Sequence, residues 1–158
     1  MKRGTKKEAA RKKSLGELGE LFAIKALVDL RFDKIRNLND NRRNEPFADL
    51  YCEKGSKKYV ISVKSRNKYQ KDKKLNPRYN LGANVYNKVL YAEKKYNAEA
   101  HWMALQFDKL TYSIFFGSIE ELKGSKAIPI DKCEKKLIGK IWVHNKRHYF
   151  DFDYFANK

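Results

Sequence analysis

The chain predicts a single α/β or α+β layer domain, and three features carry that expectation. A capped amphipathic helix comes first, a β-hairpin of two apolar runs follows, and a second helix separates the hairpin from further strands. The length of 158 residues suits one compact domain and leaves little room for another. Residues 1–13 are expected to form a basic N-terminal arm, with residues 14–158 as the domain.

Each element has a local reason. Ser14 followed by Glu17 matches a capping box, in which hydroxyl and carboxylate satisfy orphan amides at a helix start. Leu15, Leu18, Phe22, Ala26 and Leu30 then recur at helical spacing and predict a buried stripe on a helix over 15–30. Gly16, Glu20 and Ala23 share the neighbouring stripe. Residues 36–46 are polar and rich in Asn, which predicts a loop. The apolar runs 48–52 and 59–64 flank a turn centred on Gly55 and predict the hairpin. Residues 65–83 read as a basic loop, and residues 84–96 as a helix burying Val85, Val89, Ala92 and Tyr96. Strands are expected at 101–107, 110–119 and as a last pair within 138–154, with a short helix over 119–123.

The hydrophobic share is 42%, and ten Tyr and nine Phe supply the bulk for one core. Thirty-six Lys and Arg against nineteen Asp and Glu leave a formal charge of +17. Such an excess repels itself unless it meets a polyanion, and nucleic acid is the expected partner because each neutralised phosphate releases counterions. An anionic membrane would call for a basic amphipathic helix with an apolar face or a lipidation signal, and neither is convincing here. No run of apolar residues is long enough to span a bilayer, and the basic N-terminus lacks the apolar core of a signal peptide. Cys52 and Cys133 sit in dissimilar contexts, as two free thiols of a reducing cytoplasm would.

The hairpin holds the sharpest chemical signal. Asp49 opens its first strand, and Ser62 and Lys64 alternate onto one face of the second, leaving Ile61 and Val63 for the other. A Lys ending an apolar strand beside an Asp is expensive unless it serves a purpose. Phosphodiester hydrolysis is such a purpose: a carboxylate holds Mg²⁺, and a Lys orients or activates water and stabilises the developing charge. Asp49 alone makes a weak metal site. Glu20 is the best second carboxylate, because Glu17 is explained by the cap and small residues at 16, 19 and 23 let the helix approach the sheet.

The run Gly16-Glu17-Leu18-Gly19-Glu20-Leu21-Phe22-Ala23, then Asp49, then Ile61-Ser62-Val63-Lys64-Ser65-Arg66, resembles the PD-(D/E)XK nuclease superfamily. It is most similar to the small Holliday-junction-resolvase-like and YraN-like members, over about residues 14–66. The resemblance implies a restriction-endonuclease-like αβββαβ core with a central mixed sheet flanked by helices. It also implies Mg²⁺ (or Mn²⁺ as substitute) and cleavage of DNA. By that resemblance Glu20 is the helix acid, Asp49 the central metal ligand and Lys64 the motif lysine. Glu20, Asp49, Ser62 and Lys64 form the expected catalytic set, and Glu20, Asp49 and Val63 the metal-binding set. A homodimer that presents two sites to duplex or branched DNA is the expected assembly.

Two departures stand out. Ala48 precedes Asp49 where the pattern has Pro, with Pro46 nearby. Ser62 stands where the pattern has an acid, and a hydroxyl is a far weaker metal ligand than a carboxylate. Either Glu93 on the next helix supplies the missing charge and the site cuts, or the protein is a catalytically inactive nucleic-acid-binding module on the same fold. A basic structural or RNA-binding protein is the third alternative.

The loop after Lys64 carries Arg66, Lys68, Lys71, Lys73, Lys74 and Arg78 with Tyr69 and Tyr79 interleaved, a pattern suited to phosphates and exposed bases. The spacing of His144 and His148 near Cys133 suggests zinc, but a fourth ligand is missing.

Overall fold

The computed structural model describes residues 5–40, 45–109, 111–132, 137–142 and 147–150, the last two segments as backbone strands. Helix α1 (Lys6–Asp29) is followed by β1 (Asp33–Asn37), β2 (Leu50–Lys54) and β3 (Lys57–Asn67). The two-residue β4 (Tyr79–Asn80) then leads to α2 (Val85–Tyr96), β5 (Glu99–Phe107) and β6 (Thr111–Ser118). The short β7 (Ala127–Ile128) and the final pair β8 (Leu137–Trp142) and β9 (Arg147–Phe150) complete the order. The main sheet runs β1-β2-β3-β5-β6-β8-β9, and a small ribbon pairs β4 with β7. Among the described residues, β3 and β5 are the one parallel pair of the main sheet, joined by the α2 crossover. The sheet is therefore mixed, and the run from α1 to β5 contains the expected αβββαβ order.

Alternation along β3 and β5 builds a core on each face. Ile61, Met103 and Leu105 join Leu27, Leu30 and Ala23 of α1 on one side. Val60, Trp102 and Ala104 join Val85, Val89 and Ala92 of α2 on the other. Ile61 is fully buried, and the hairpin register pairs it with Leu50. The second strand of the predicted hairpin thus contributes to both cores, between β2 and β5.

The first helix begins earlier than its expected start at Ser14. Thr5 is the N-cap, accepting from the Glu8 N–H while Glu8 accepts from the Thr5 N–H. The same Thr/Ser-x-x-Glu signature occurs twice, and the earlier copy closes the helix. The buried stripe is also rotated: Gly19, Ala23, Ala26, Leu27 and Leu30 are buried, whereas Leu18 is 42% exposed. Gly19 explains the rotation. A Cβ there would overlap Ser65 Oγ and come 2.8 Å from Ser65 Cβ, so the helix backbone rests directly on β3.

Gly19→Ala is accordingly expected to destabilise the fold by about 1–3 kcal/mol, as overpacking does. Chemical denaturation of Gly19→Ala with and without Ser65→Gly measures this, and the double variant recovers most of the loss. Equal stability of Gly19→Ala and the parent would contradict the close approach.

Strand β1 lies in what reads as a polar stretch, because it is an edge strand with a register shift and only Ile35 packs on the core. The predicted 110–119 strand is observed at Thr111–Ser118, and the short helix expected over 119–123 is the 3₁₀ turn Glu120–Leu122.

Candidate active site

Asp49 sits just before β2, where its N–H donates to the Ile61 carbonyl and locks the mouth of the hairpin. Its Oδ2 accepts from the Val63 N–H at 2.7 Å. Val63 therefore contributes here through its backbone amide, which fixes the carboxylate against β3. Ser62 and Lys64 share the Asp49 side of the sheet; Ser62 is 3% exposed and Lys64 half-buried. The expected alternation holds.

Glu20 reaches the same place from α1, one residue beyond the close contact at Gly19. Its two oxygens accept from the side-chain amides of Asn37 and Asn39, each at 3.3 Å. The Asn39 amide nitrogen also donates to Asp49 Oδ1 at 3.2 Å. One asparagine thus bridges the two carboxylates, and its own N–H donates to Asn37 Oδ1 at 3.0 Å. From the sequence these asparagines signal only a loop. Their one sequence signal is that a polar Asn-rich segment leads directly to Asp49.

The electrostatics mark a strained cluster. Burial pushes the Asp49 carboxyl above its ordinary range, opposed by the Val63 N–H, Asn39 and the nearby Lys64 charge. Glu20 is also pushed upward, first by burial and then by the Asp49 charge. Burial pushes the Lys64 ammonium downward, with Arg66 and Lys88 adding to the effect and Asp49 opposing it. Two carboxylates that resist ionisation beside each other form a natural seat for a cation.

All four expected catalytic residues line one cleft of about 950 Å³. Lys13 of α1 and Lys88 of α2 line it as well, and so does Glu17. Glu17 is not the capping residue the sequence suggests, because the helix is capped at Thr5 and Glu17 lies 4.0 Å from Lys13 Nζ. Glu93 does not line the cleft. Its carboxylate accepts from the Ala100 N–H at 3.2 Å and lines a separate cavity with Glu99 and His101. The α2 residue that the cleft receives is Lys88, so a relocated acid from this helix is corrected to a base.

Among the described residues there is no group of three or more His, Cys, Asp and Glu that could hold a metal ion. The residues present still fit a hard divalent cation. Glu20 and Asp49 supply two anionic oxygens, the Ser62 hydroxyl is a neutral third, and Mg²⁺ ordinarily keeps several waters or phosphate oxygens.

The loop after β3 folds back on itself through a Tyr69–Leu75 bridge. Lys68, Lys71, Lys73, Lys74 and Arg78 lie on it or just beyond it, and Arg66 sits at the end of β3; Lys68 is half-buried and the others exposed. Tyr69 is 46% exposed and available to a ligand, whereas Tyr79 is fully buried in the core of the α2 face and cannot stack on a base. Cys52 is a free, buried thiol pushed up to about 12 by desolvation, and so is inert. Cys133 and His144 of the zinc reading lie outside the described residues, and His148 falls on β9, described as backbone only.

Asn39→Ala is expected to lower any metal-dependent activity of the cleft by about 10–100-fold, the usual effect of losing a group that orients metal ligands. Steady-state kinetics over a metal titration would show it as weakened metal dependence, and an unchanged titration would remove Asn39 from the site.

A mixed sheet with a helix on each face is an α/β architecture of the restriction-endonuclease-like kind. The solved structure of Hjc from Archaeoglobus fulgidus, a Holliday junction resolvase from an archaeal hyperthermophile, has a similar fold. The TM-score is 0.52 at 17% identity, over 72% of this chain and 88% of that one. No protein-family model and no curated protein sequence matches the chain. No described helix is long and apolar enough to cross a membrane.

Proposed function

We propose that the chain is a divalent-metal-dependent DNA endonuclease whose reactive centre is Glu20, Asp49, Ser62 and Lys64. The observation that carries this reading is the Asn39-bridged carboxylate pair opposite Lys64 in one open cleft. The shared fold with a Holliday junction resolvase and the +17 charge support it.

In this reading Glu20 and Asp49 would hold Mg²⁺ or Mn²⁺, with the Ser62 hydroxyl or the Val63 carbonyl as a further donor. The bound cation would neutralise charge on the scissile phosphate and acidify a water. Lys64 would orient the attacking water and stabilise the charge that builds on the phosphate oxygens, and its desolvation would strengthen the interaction. Lys88 and Lys13 contact flanking phosphates from the two walls of the cleft. Arg66, Lys68, Lys71, Lys73 and Lys74 extend the contact, and Arg78 lies further along the same segment. A homodimer would present two such clefts to duplex or branched DNA.

A second reading is a module that binds DNA without cutting it. Ser62 in place of an acid on β3 favours it, as does the lack, among the described residues, of any group of three or more His, Cys, Asp and Glu placed to hold a metal ion. A nicking assay on supercoiled plasmid separates the two. The endonuclease relaxes plasmid in Mg²⁺ or Mn²⁺ and not in EDTA. Retarded but intact plasmid in both metals would establish the binding module instead.

A further inference from the structure

A second groove, of about 490 Å³, lies between the first turns of α1 and the loop that follows β3. One wall carries Arg11, Lys12 and Leu15, and the other Arg66, Tyr69 and Lys71. Lys71 Nζ meets Glu8 Oε1 at 2.9 Å and fastens the loop to the helix. Side-chain amides hold the loop's shape: Asn76 donates to the Asn67 carbonyl at 2.8 Å, and Gln70 to the Leu75 carbonyl at 3.1 Å. Arg11 and Lys12 make no ion pair among the described residues, so their charges remain available to a ligand.

Residues close in sequence line the groove and the carboxylate cleft on both α1 and β3. Lys12 lines the groove and Lys13 the cleft, on successive residues of α1. Arg66 lines the groove two residues after Lys64, a separation of roughly 7 Å along a strand. A strand leaving the cleft would enter this groove within a nucleotide or two.

The chemistry of the groove selects among forms of DNA. A duplex presents phosphates and stacked base edges, and its base faces are covered by neighbours. Tyr69 is 46% exposed and carries Lys68 Nζ over its ring at 5.6 Å from the centroid. A base would therefore stack opposite the lysine, and only an unstacked base presents a face for that. We propose that this groove is a subsite for an unpaired stretch of the DNA substrate, with one base stacked on Tyr69 and its flanking phosphates held by Arg11, Lys12 and Arg66. It rests on the endonuclease reading for the origin of the strand, and its binding chemistry is separable from cutting.

The test is fluorescence anisotropy in EDTA, so that cleavage plays no part, with a blunt duplex and the same duplex carrying a short unpaired tail. The protein should bind the tailed duplex at least about fivefold more tightly, as stacking of one base provides. Tyr69→Ala should cost the tailed duplex more affinity than the blunt one and so erase that preference, while Tyr69→Trp retains it. Arg11→Gln combined with Lys12→Gln should flatten the salt dependence for the tailed duplex by about one to two phosphate contacts. Equal affinity for the two duplexes, or a Tyr69→Ala loss that is the same for both, overturns the subsite. Failure to cut plasmid with the tail preference intact would overturn the nuclease reading and leave the subsite standing.

Discussion

Lys64→Met should lower the cleavage rate by about 10²–10³-fold while changing affinity for DNA less than tenfold. The Met side chain keeps the apolar stem that packs along β3 and removes only the charge that meets the phosphate in the transition state. Loss of one preorganised donor in a desolvated site has this magnitude. Single-turnover kinetics beside equilibrium binding separates the two effects. Affinity and rate falling together would make Lys64 one more phosphate contact, which is what a binding module requires.

The second large effect is expected at Asp49. Asp49→Asn keeps the shape and a carbonyl oxygen for the Val63 N–H, and removes the negative charge. Cleavage should fall by well over 100-fold, since loss of a group that merely orients a metal ligand already costs about 10–100-fold.

Stability should move the opposite way. Burial raises the folded-state pKa of Asp49 above its unfolded value. Its contribution is therefore fully present below the ordinary carboxylate range and is lost as pH rises through the folded pKa. At neutral pH without metal, the ionised group opposes folding, and Asp49→Asn should melt at a higher temperature in EDTA than the parent. Mg²⁺ or Mn²⁺ should raise the melting temperature of the parent and not of the variant, because only the parent's folded state binds it. A metal-induced rise that survives in Asp49→Asn would move the metal elsewhere.

The hairpin and the faces of β3 were legible in the sequence because a half-buried strand repeats every two residues and its turn is marked by Gly55. The shared side of Ser62 and Lys64 was legible for the same reason, whereas Glu20 and Asp49 were chosen from their neighbours and the family pattern. The cleft brings all four together. The start of α1 was misplaced because two capping boxes occur in tandem, at Thr5 and Ser14, and local signals do not rank them. Strand β1 was hidden because an edge strand has half its hydrogen bonds unpaired and little apolar surface to bury.

Asn37 and Asn39 were missed for a different reason. Their roles arise from the turn that carries them back to Glu20, a contact across 17 and 19 residues that no short window contains. Glu93 shows the converse. A carboxylate on the right helix is aimed at the Ala100 amide instead of the cleft, and helical phase decides it, because Lys88 holds the inward position.

The most direct test of the account is cleavage of labelled linear, nicked and four-way-junction DNA by the parent protein and by Asp49→Ala, in Mg²⁺, in Mn²⁺ and in EDTA. The expected result is cutting by the parent in metal, none in EDTA and none by the variant in any condition, with the preferred substrate defining the DNA structure it acts on. Cutting that persists in Asp49→Ala, or binding by the parent without cutting in either metal, would contradict it.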